Sequence, residues 1–199
     1  MGELLMDIVI LPGVGFHNEK DARPLMNNIT NNIPDARVTY FDWQHIGLSA
    51  AAIPFYEDPL HRSLRAFMQE TIMDFEYTIQ NAYSMEVPVG DLYIGHSAGS
   101  LVALTRNAPC IIFGSPAAII NTIDTVIVGD IMTFRAKTSR KVLNILNRND
   151  PIGLPLNYPN VENFYYCSNW INPVGAHTDY WSNKTVGKKI VSKIKEWFI

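Results

Sequence analysis

Hydrophobic and polar positions along this chain follow two kinds of pattern. Short apolar runs bounded by Pro, Gly, Asn or Asp are typical of strands in a buried sheet. Such runs predict strands at 7–11, 37–41, 92–94, 110–113, 142–146 and 162–167. Between them, apolar residues recur at the spacing of one helix face, as Leu25, Ile29 and Ile33 do.

The helical patterns predict four helices. One covers 23–33, with Pro24 in its first turn, and a long one covers 60–79. A third follows position 97 through the apolar residues 101–104. The last runs from about 184 to 198, with Asn183 or Ser182 as its N-cap.

The alternation of strands and helices predicts an α/β fold. We expect a three-layer sandwich whose open, mostly parallel six-stranded sheet has the order 2-1-3-4-5-6, with helices on both faces. The 199 residues contain no repeat or linker, which predicts a single domain over 1–199 without a separate cap domain.

Composition excludes some functions but does not alter the predicted fold. With 47% hydrophobic and 18% charged residues and a net charge of −3, the chain is typical of a globular protein that does not bind nucleic acid. No signal peptide or membrane-spanning run is visible, so we expect a cytoplasmic or otherwise soluble protein. The densest basic cluster is interpreted as the solvated face of the last helix and consists of Lys184, Lys188, Lys189, Lys193 and Lys195.

The two cysteines, Cys110 and Cys167, fall in predicted strands that are two positions apart in the sheet. That separation of roughly 9–10 Å is too long for a disulfide. We therefore expect two buried free thiols in a reducing compartment. The histidines are scattered, and no motif of metal-ligand spacing occurs, so no metal and no cofactor are predicted.

The most specific motif is Gly-His-Ser-Ala-Gly at 95–99, between an apolar strand and a helical segment. A strand, a sharp turn and a helix are the context in which G-x-S-x-G forms a nucleophile elbow. The pattern predicts Ser97 as a nucleophile at a helix N-terminus, where free N–H groups favour a developing anion. The intervening His96 is assigned a structural role.

Two later residues complete a catalytic triad. Asp150 directly follows the fifth predicted strand, and His177 lies in the loop after the sixth. The chain order Ser97, Asp150, His177 is that of one class of serine hydrolases. Three other acids compete with Asp150: Asp124 and Asp130, which follow no clear strand, and Asp179, too near His177 in sequence to face its ring.

The loop at 12–17 follows the first strand and is rich in glycine. Glycine allows backbone N–H groups to approach an anion closely, so Val14 N–H and Ala98 N–H are the predicted oxyanion-hole donors. Gly13, Gly15 and His17 are candidate substrate contacts in the same loop.

Two apolar segments, 43–56 and 117–128, could line an acyl pocket or form a small lid, or could simply be packed connections. Phe55 and Ile119 are their candidate substrate contacts.

These motifs resemble those of the α/β-hydrolase superfamily, and within it those of small cap-less lipases and esterases. Residues 94–99 match the elbow, and Phe-Gly-Ser-Pro at 113–116 is similar to a turn of the class-3 lipases. The segments 149–155 and 175–181 resemble the regions around the catalytic acid and histidine. The resemblance implies a serine hydrolase of esterase or lipase type.

We therefore expect hydrolysis of a carboxylic ester through an acyl-enzyme on Ser97. The substrate would be an ester-containing small molecule, lipid or polymer. An acyltransferase or thioesterase using the same triad, or a catalytically silent binding scaffold, remains the alternative.

Overall fold

A computed structural model of the chain describes residues 5–13, 18–43, 86–118 and 140–199. Its six strands form one sheet in which every neighbouring pair is parallel, in the order β2-β1-β3-β4-β5-β6. The strands are β1 (Met6–Leu11), β2 (Ala36–Tyr40), β3 (Leu92–His96), β4 (Cys110–Phe113), β5 (Val142–Asn147) and β6 (Val161–Tyr166). The predicted sheet and strand order are confirmed.

The register of the sheet brings the carboxyl ends of its strands to one edge. Leu11 pairs with Gly95, His96 with Phe113, and Asn147 with Tyr166. The residues that follow β1, β3, β4, β5 and β6 therefore emerge at the same side of the sheet. In open parallel sheets this edge is where ligands bind.

Four helices are described: α1 (Glu19–Asn32), α2 (Ala98–Thr105), α3 (Pro173–Thr178) and α4 (Lys184–Phe198). Helix α4 has the predicted bounds, and Asn183 is its N-cap, with its side chain accepting the Thr185 N–H. A 3-10 turn (Asp179–Trp181) follows α3.

Helix α1 begins earlier than predicted. The Asn18 side chain accepts the Lys20 N–H, and Asp21 accepts the Asn18 N–H in a capping box, so the helix begins at Glu19 rather than at 23. Pro24 consequently lies inside the helix rather than in its first turn, which corrects the prediction.

The helices cover both faces of the sheet, as predicted. Alternate residues of β1 point to opposite faces: Ile8 and Ile10 belong to one buried cluster, and Val9 and Leu11 to the other. The first cluster includes residues of α1 and α4, and the second includes residues of α2.

Two predictions about exposure are wrong. Cys110 is buried in β4, but Cys167 is exposed and lies one residue past the end of β6. Lys193 is buried rather than solvated, because α4 packs beside β6. The Lys193 ammonium group forms ion pairs with Glu162 on β6 and with Glu196 on α4. Glu162 also accepts a hydrogen bond from Lys189 at 2.6 Å, so the edge strand is tied to α4 by charge.

The predicted helix over 60–79 and all but the first two residues of 117–128 lie outside the described residues. Among the helices that are described, none has the length and apolar character needed to span a bilayer.

Candidate active site

Ser97 occupies the turn between β3 and α2 with φ +50° and ψ −127°. It is the one non-glycine residue with a positive φ among those described. Its N–H donates to the Phe113 carbonyl at 3.0 Å, which ties the turn to the end of β4. A side chain in this region of φ and ψ costs about 1–3 kcal/mol. Such strain is characteristic of residues that a site holds in place for chemistry.

Close packing explains the two glycines that flank the serine. A Cβ on Gly95 would lie 2.6 Å from Ser100 Cα, and a Cβ on Gly99 would lie 2.3 Å from the carbonyl oxygens of Leu11 and Pro12. Helix α2 therefore begins in direct contact with the end of β1. The start of α2 is thereby packed against Leu11 and Pro12.

The carbonyl group of Ser97 is also held. Ser100 donates its hydroxyl to the Ser97 oxygen, and the Ser100 and Ser115 hydroxyls are 2.7 Å apart. The Ala117 N–H donates to Ser115 Oγ at 3.3 Å. The Phe-Gly-Ser-Pro turn after β4 thus braces the elbow from the neighbouring strand.

Gly13, which follows β1, lies against Ser97. A Cβ on Gly13 would lie 2.7 Å from Ser97 Cβ, so only a glycine fits against the serine here. The buried Trp43 donates its indole N–H to the Pro12 carbonyl at 2.8 Å and anchors the start of this loop. Ala98 is the first residue of α2, so its N–H has no acceptor within the helix.

Five predicted site residues lie outside the described residues, and they are Val14, Gly15, His17, Phe55 and Ile119.

Asp150 and His177 are in direct contact: His177 Nδ1 lies 3.0 Å from Asp150 Oδ2. Asp150 follows β5 in a turn, as predicted. His177, predicted in a loop, instead lies on α3, a short helix that begins at Pro173 and is capped by Asn172 through the Gly175 N–H.

The environment of Asp150 favours its ionised form. Burial would raise its pKa, but the hydrogen bond and charge of His177, the Ile152 N–H and the Tyr180 hydroxyl together lower the pKa below its ordinary value. A carboxylate can only accept hydrogen bonds, so His177 Nδ1 carries the proton. Nε2 is then the basic nitrogen of the neutral imidazole.

The turn after β4 packs against this pair. Gly114 has φ +55°, and a Cβ there would lie 2.8 Å from His177 Cε1 and 3.2 Å from Asp150 Oδ2. Both the left-handed backbone and the lack of space require glycine at this position. The same turn that braces the Ser97 elbow through Ser115 therefore also contacts the acid and the histidine.

Three asparagines hold the segments around the acid and the histidine, and two of them, Asn147 and Asn149, connect these segments to each other. Asn147 donates to Ser168 Oγ at 2.9 Å and to the Ala176 carbonyl at 2.8 Å, which holds α3 against the end of β5. Asn149 donates to the carbonyls of Ser168 and Trp170. Asn144 donates to the Leu154 carbonyl at 3.1 Å and anchors the segment that follows Asp150.

His96 has the structural role assigned to it, through a contact that the motif did not indicate. Its buried ring lies 4.7 Å from the His177 ring, centroid to centroid, and Nε2–H donates to the His177 carbonyl at 2.8 Å. The residue before Ser97 therefore fixes the position of the His177 backbone.

Of the competing acids, Asp179 is the one within the described residues, and its carboxylate is directed to Asn183 rather than to His177. The Asp179 carboxylate accepts a hydrogen bond from Asn183 at 2.6 Å, and Asp124 and Asp130 lie outside the described residues. Within the described ranges, no group of three His, Cys, Asp or Glu side chains could hold a metal ion.

No family model matches this chain, and no curated protein matches it. A solved structure of an iodinated complex of acetyl xylan esterase is similar at 13% sequence identity and a TM-score of 0.41, with 96% of this chain and 97% of that chain covered. Similarity at this level is too low to indicate a shared activity.

Proposed function

We propose that this protein is a serine hydrolase of the α/β-hydrolase type that cleaves a carboxylic ester. The observation that carries the proposal is the Asp150–His177 hydrogen bond, which lies at the same sheet edge as the strained Ser97. An imidazole whose tautomer is set by a buried carboxylate is the base that an activated serine requires.

In the proposed reaction, His177 Nε2 accepts the proton of Ser97 as Oγ attacks the ester carbonyl carbon. The N–H groups of Ala98 and Val14 stabilise the tetrahedral oxyanion. Collapse of the intermediate expels the alcohol, which takes the proton from His177 and leaves the acyl group on Ser97. A water molecule, deprotonated by His177, then attacks the acyl-enzyme, and the carboxylic acid leaves as Ser97 recovers its proton.

A fluorophosphonate probe and a p-nitrophenyl ester test the proposal together. The probe forms a covalent bond with an activated serine, so we expect mass spectrometry to locate the adduct on Ser97. Ser97→Ala should abolish both the labelling and the ester turnover. Ser182→Ala, which removes an exposed serine hydroxyl between the 3-10 turn and α4, should change neither.

Full ester turnover by Ser97→Ala would contradict the proposal. Absence of labelling in the wild-type chain would favour a silent scaffold. Ester product appearing with an added alcohol, at the expense of free acid, would indicate acyl transfer on the same serine.

A further inference from the structure

Tyr180 is a buried tyrosine that the proposed reaction does not use, although it touches the triad acid. Its side chain has no solvent exposure, and its hydroxyl lies 2.8 Å from Asp150 Oδ2. The same oxygen accepts the hydrogen bond from His177 Nδ1. Resting on the proposed function, we propose that Tyr180 is a positioning residue that holds the Asp150 carboxylate in the orientation in which it pairs with His177.

The direction of this hydrogen bond follows from the second partner of the hydroxyl. The Asn147 backbone N–H donates to the Tyr180 oxygen at 3.0 Å, and an N–H can only donate. The phenolic proton is therefore available for Asp150, which as a carboxylate can only accept. The Asn147 N–H at the end of β5 thus orients the Tyr180 hydroxyl. The hydroxyl in turn orients Asp150, which lies three residues after Asn147.

The spacing of His177 and Tyr180 explains why both reach one oxygen. They are three residues apart on α3 and the 3-10 turn that continues it, and residues at this spacing lie on the same side of a helical turn. Any shift of this element would therefore move the base and the tyrosine together. Oδ1 of Asp150 is held separately by the Ile152 N–H at 2.9 Å.

Of the described residues, His177 on α3 and Tyr180 on the 3-10 turn contact Asp150, and Tyr166 on β6 is close enough to interact with its charge. Burial and the neighbouring Asp150 charge raise the pKa of Tyr180 above its ordinary range, so its hydroxyl stays protonated near neutral pH. Burial likewise raises the pKa of Tyr166.

The test compares Tyr180→Phe with Tyr166→Phe in the full chain. Tyr166 is a matched control because it is buried and packs edge-on against the Tyr180 ring at 5.5 Å, while the described residues show no hydrogen bond from its hydroxyl to the triad. For p-nitrophenyl acetate, we expect Tyr180→Phe to lower kcat by about ten-fold, which is about 1.4 kcal/mol of barrier. KM should stay the same, because Tyr180 is too deeply buried to touch substrate.

A second measurement does not depend on turnover. Carbon-13 NMR of the Asp150 carboxyl should give a higher pKa in Tyr180→Phe than in wild type, because one donor to the ionised form is gone. Tyr166→Phe should leave this pKa near the wild-type value. Fluorotyrosine at position 180, which keeps a hydroxyl, should retain kcat. A melting temperature of Tyr180→Phe near that of wild type would show that loss of folding does not explain the Phe variant.

Equal Asp150 pKa values and equal kcat in Tyr180→Phe and wild type would overturn the proposal. If the wild-type chain is not labelled on Ser97 by the fluorophosphonate, the proposed function fails, while the Asp150 titration still decides the role of Tyr180.

Discussion

At the scale of single residues, the main feature is that Ser97 is held in a backbone conformation that serine disfavours. The turn is over-determined by its neighbours: the Phe113 carbonyl, the Ser100 hydroxyl and the tight packing at Gly99 all constrain it. Contacts with β1 and β4 therefore offset the energetic cost of this backbone conformation. A serine with this geometry trades stability for the placement of its hydroxyl.

This trade predicts different stabilities for two variants that lack the Ser97 hydroxyl. Ser97→Gly should relieve strain of about 1–3 kcal/mol, offset by roughly 0.5–1 kcal/mol for the greater entropy of glycine in the unfolded chain. Ser97→Ala keeps the strain. In thermal unfolding, we expect Ser97→Gly to melt about 2–4 °C above Ser97→Ala. A lower melting temperature for Ser97→Gly would show that the turn is not strained.

Asp150 predicts how stability depends on pH. Its pKa is lower in the folded chain than the ordinary carboxyl value near 4, so its contribution is present above about pH 4 and is lost as the pH falls through the folded-state pKa. Asp150→Asn should lower the free energy of unfolding at pH 7. The difference from wild type should shrink steadily below pH 4.

Urea unfolding at a series of pH values measures this effect. Asp35→Asn, which changes an exposed acid in the turn before β2, is the control and should alter the free energy of unfolding little at any pH. A gap between wild type and Asp150→Asn that stayed constant down to about pH 2 would contradict a lowered Asp150 pKa.

At the scale of elements, the short helix α3 depends on its connections rather than on its own length. Six residues are too few for a stable isolated helix. Asn147 supplies the connection, since its side chain donates to Ser168 and Ala176 and accepts the N–H groups of Asn149 and Ser168. A single buried side chain thus links β5, the loop after β6 and the helix that carries His177.

Asn147→Ala should therefore loosen α3 selectively. It leaves the Ala176 carbonyl without its side-chain donor, at a cost of about 1–3 kcal/mol. Hydrogen–deuterium exchange should rise most in 173–178. Asn144→Ala is the matched control: Asn144 is also buried on β5, but it donates to Leu154 and Asn163, so exchange should rise around 154–156 instead. The same exchange profile in both variants would refute this division of roles.

At the scale of the whole molecule, the central strands β1, β3, β4 and β5 are almost entirely buried and carry the two hydrophobic clusters. Both clusters pack against the same strands from opposite faces. Stability is thus concentrated in the middle of the sheet, and its carboxyl edge is left for the loops of the candidate site.

The position of a residue in the sheet should set the cost of truncating it. Ile94 is fully buried on β3, so Ile94→Ala should lower the free energy of unfolding by about 2–5 kcal/mol. Val38 is half-buried on the outermost strand β2 and packs against the same cluster, so Val38→Ala should cost distinctly less. Urea unfolding gives both values, and similar losses would mean that the edge strand is as important as the centre.

Much of the fold and part of the candidate site could be predicted from local patterns. Apolar runs bounded by turn residues defined the strands, and the alternation of strands with helical patterns predicted a mostly parallel sheet. Ser97, Asp150 and His177 could be chosen because a G-x-S-x-G motif, an acid directly after the fifth strand and a histidine in the loop after the sixth occur in the chain order of one class of serine hydrolases. The predicted start of α1 was wrong because Pro24 was interpreted as part of the first turn, whereas the capping box of Asn18 and Asp21 begins the helix at Glu19.

The remaining features arise from contacts between residues distant in sequence. The exposure of Cys167 and the burial of Lys193 depend on where β6 ends and how α4 packs beside it. The contacts of Tyr180 with Asp150 and Asn147, and of His96 with the His177 carbonyl, join segments about 30 to 80 residues apart. No local periodicity encodes them.

The sequence by itself predicted the six strands, their order in the sheet, most of the helices and the candidate chemistry, because period and turn residues act within a few positions. Only the tertiary structure decided the backbone strain of Ser97, the ionised state of Asp150 and the supports around His177, because these depend on burial and on partners supplied by other strands.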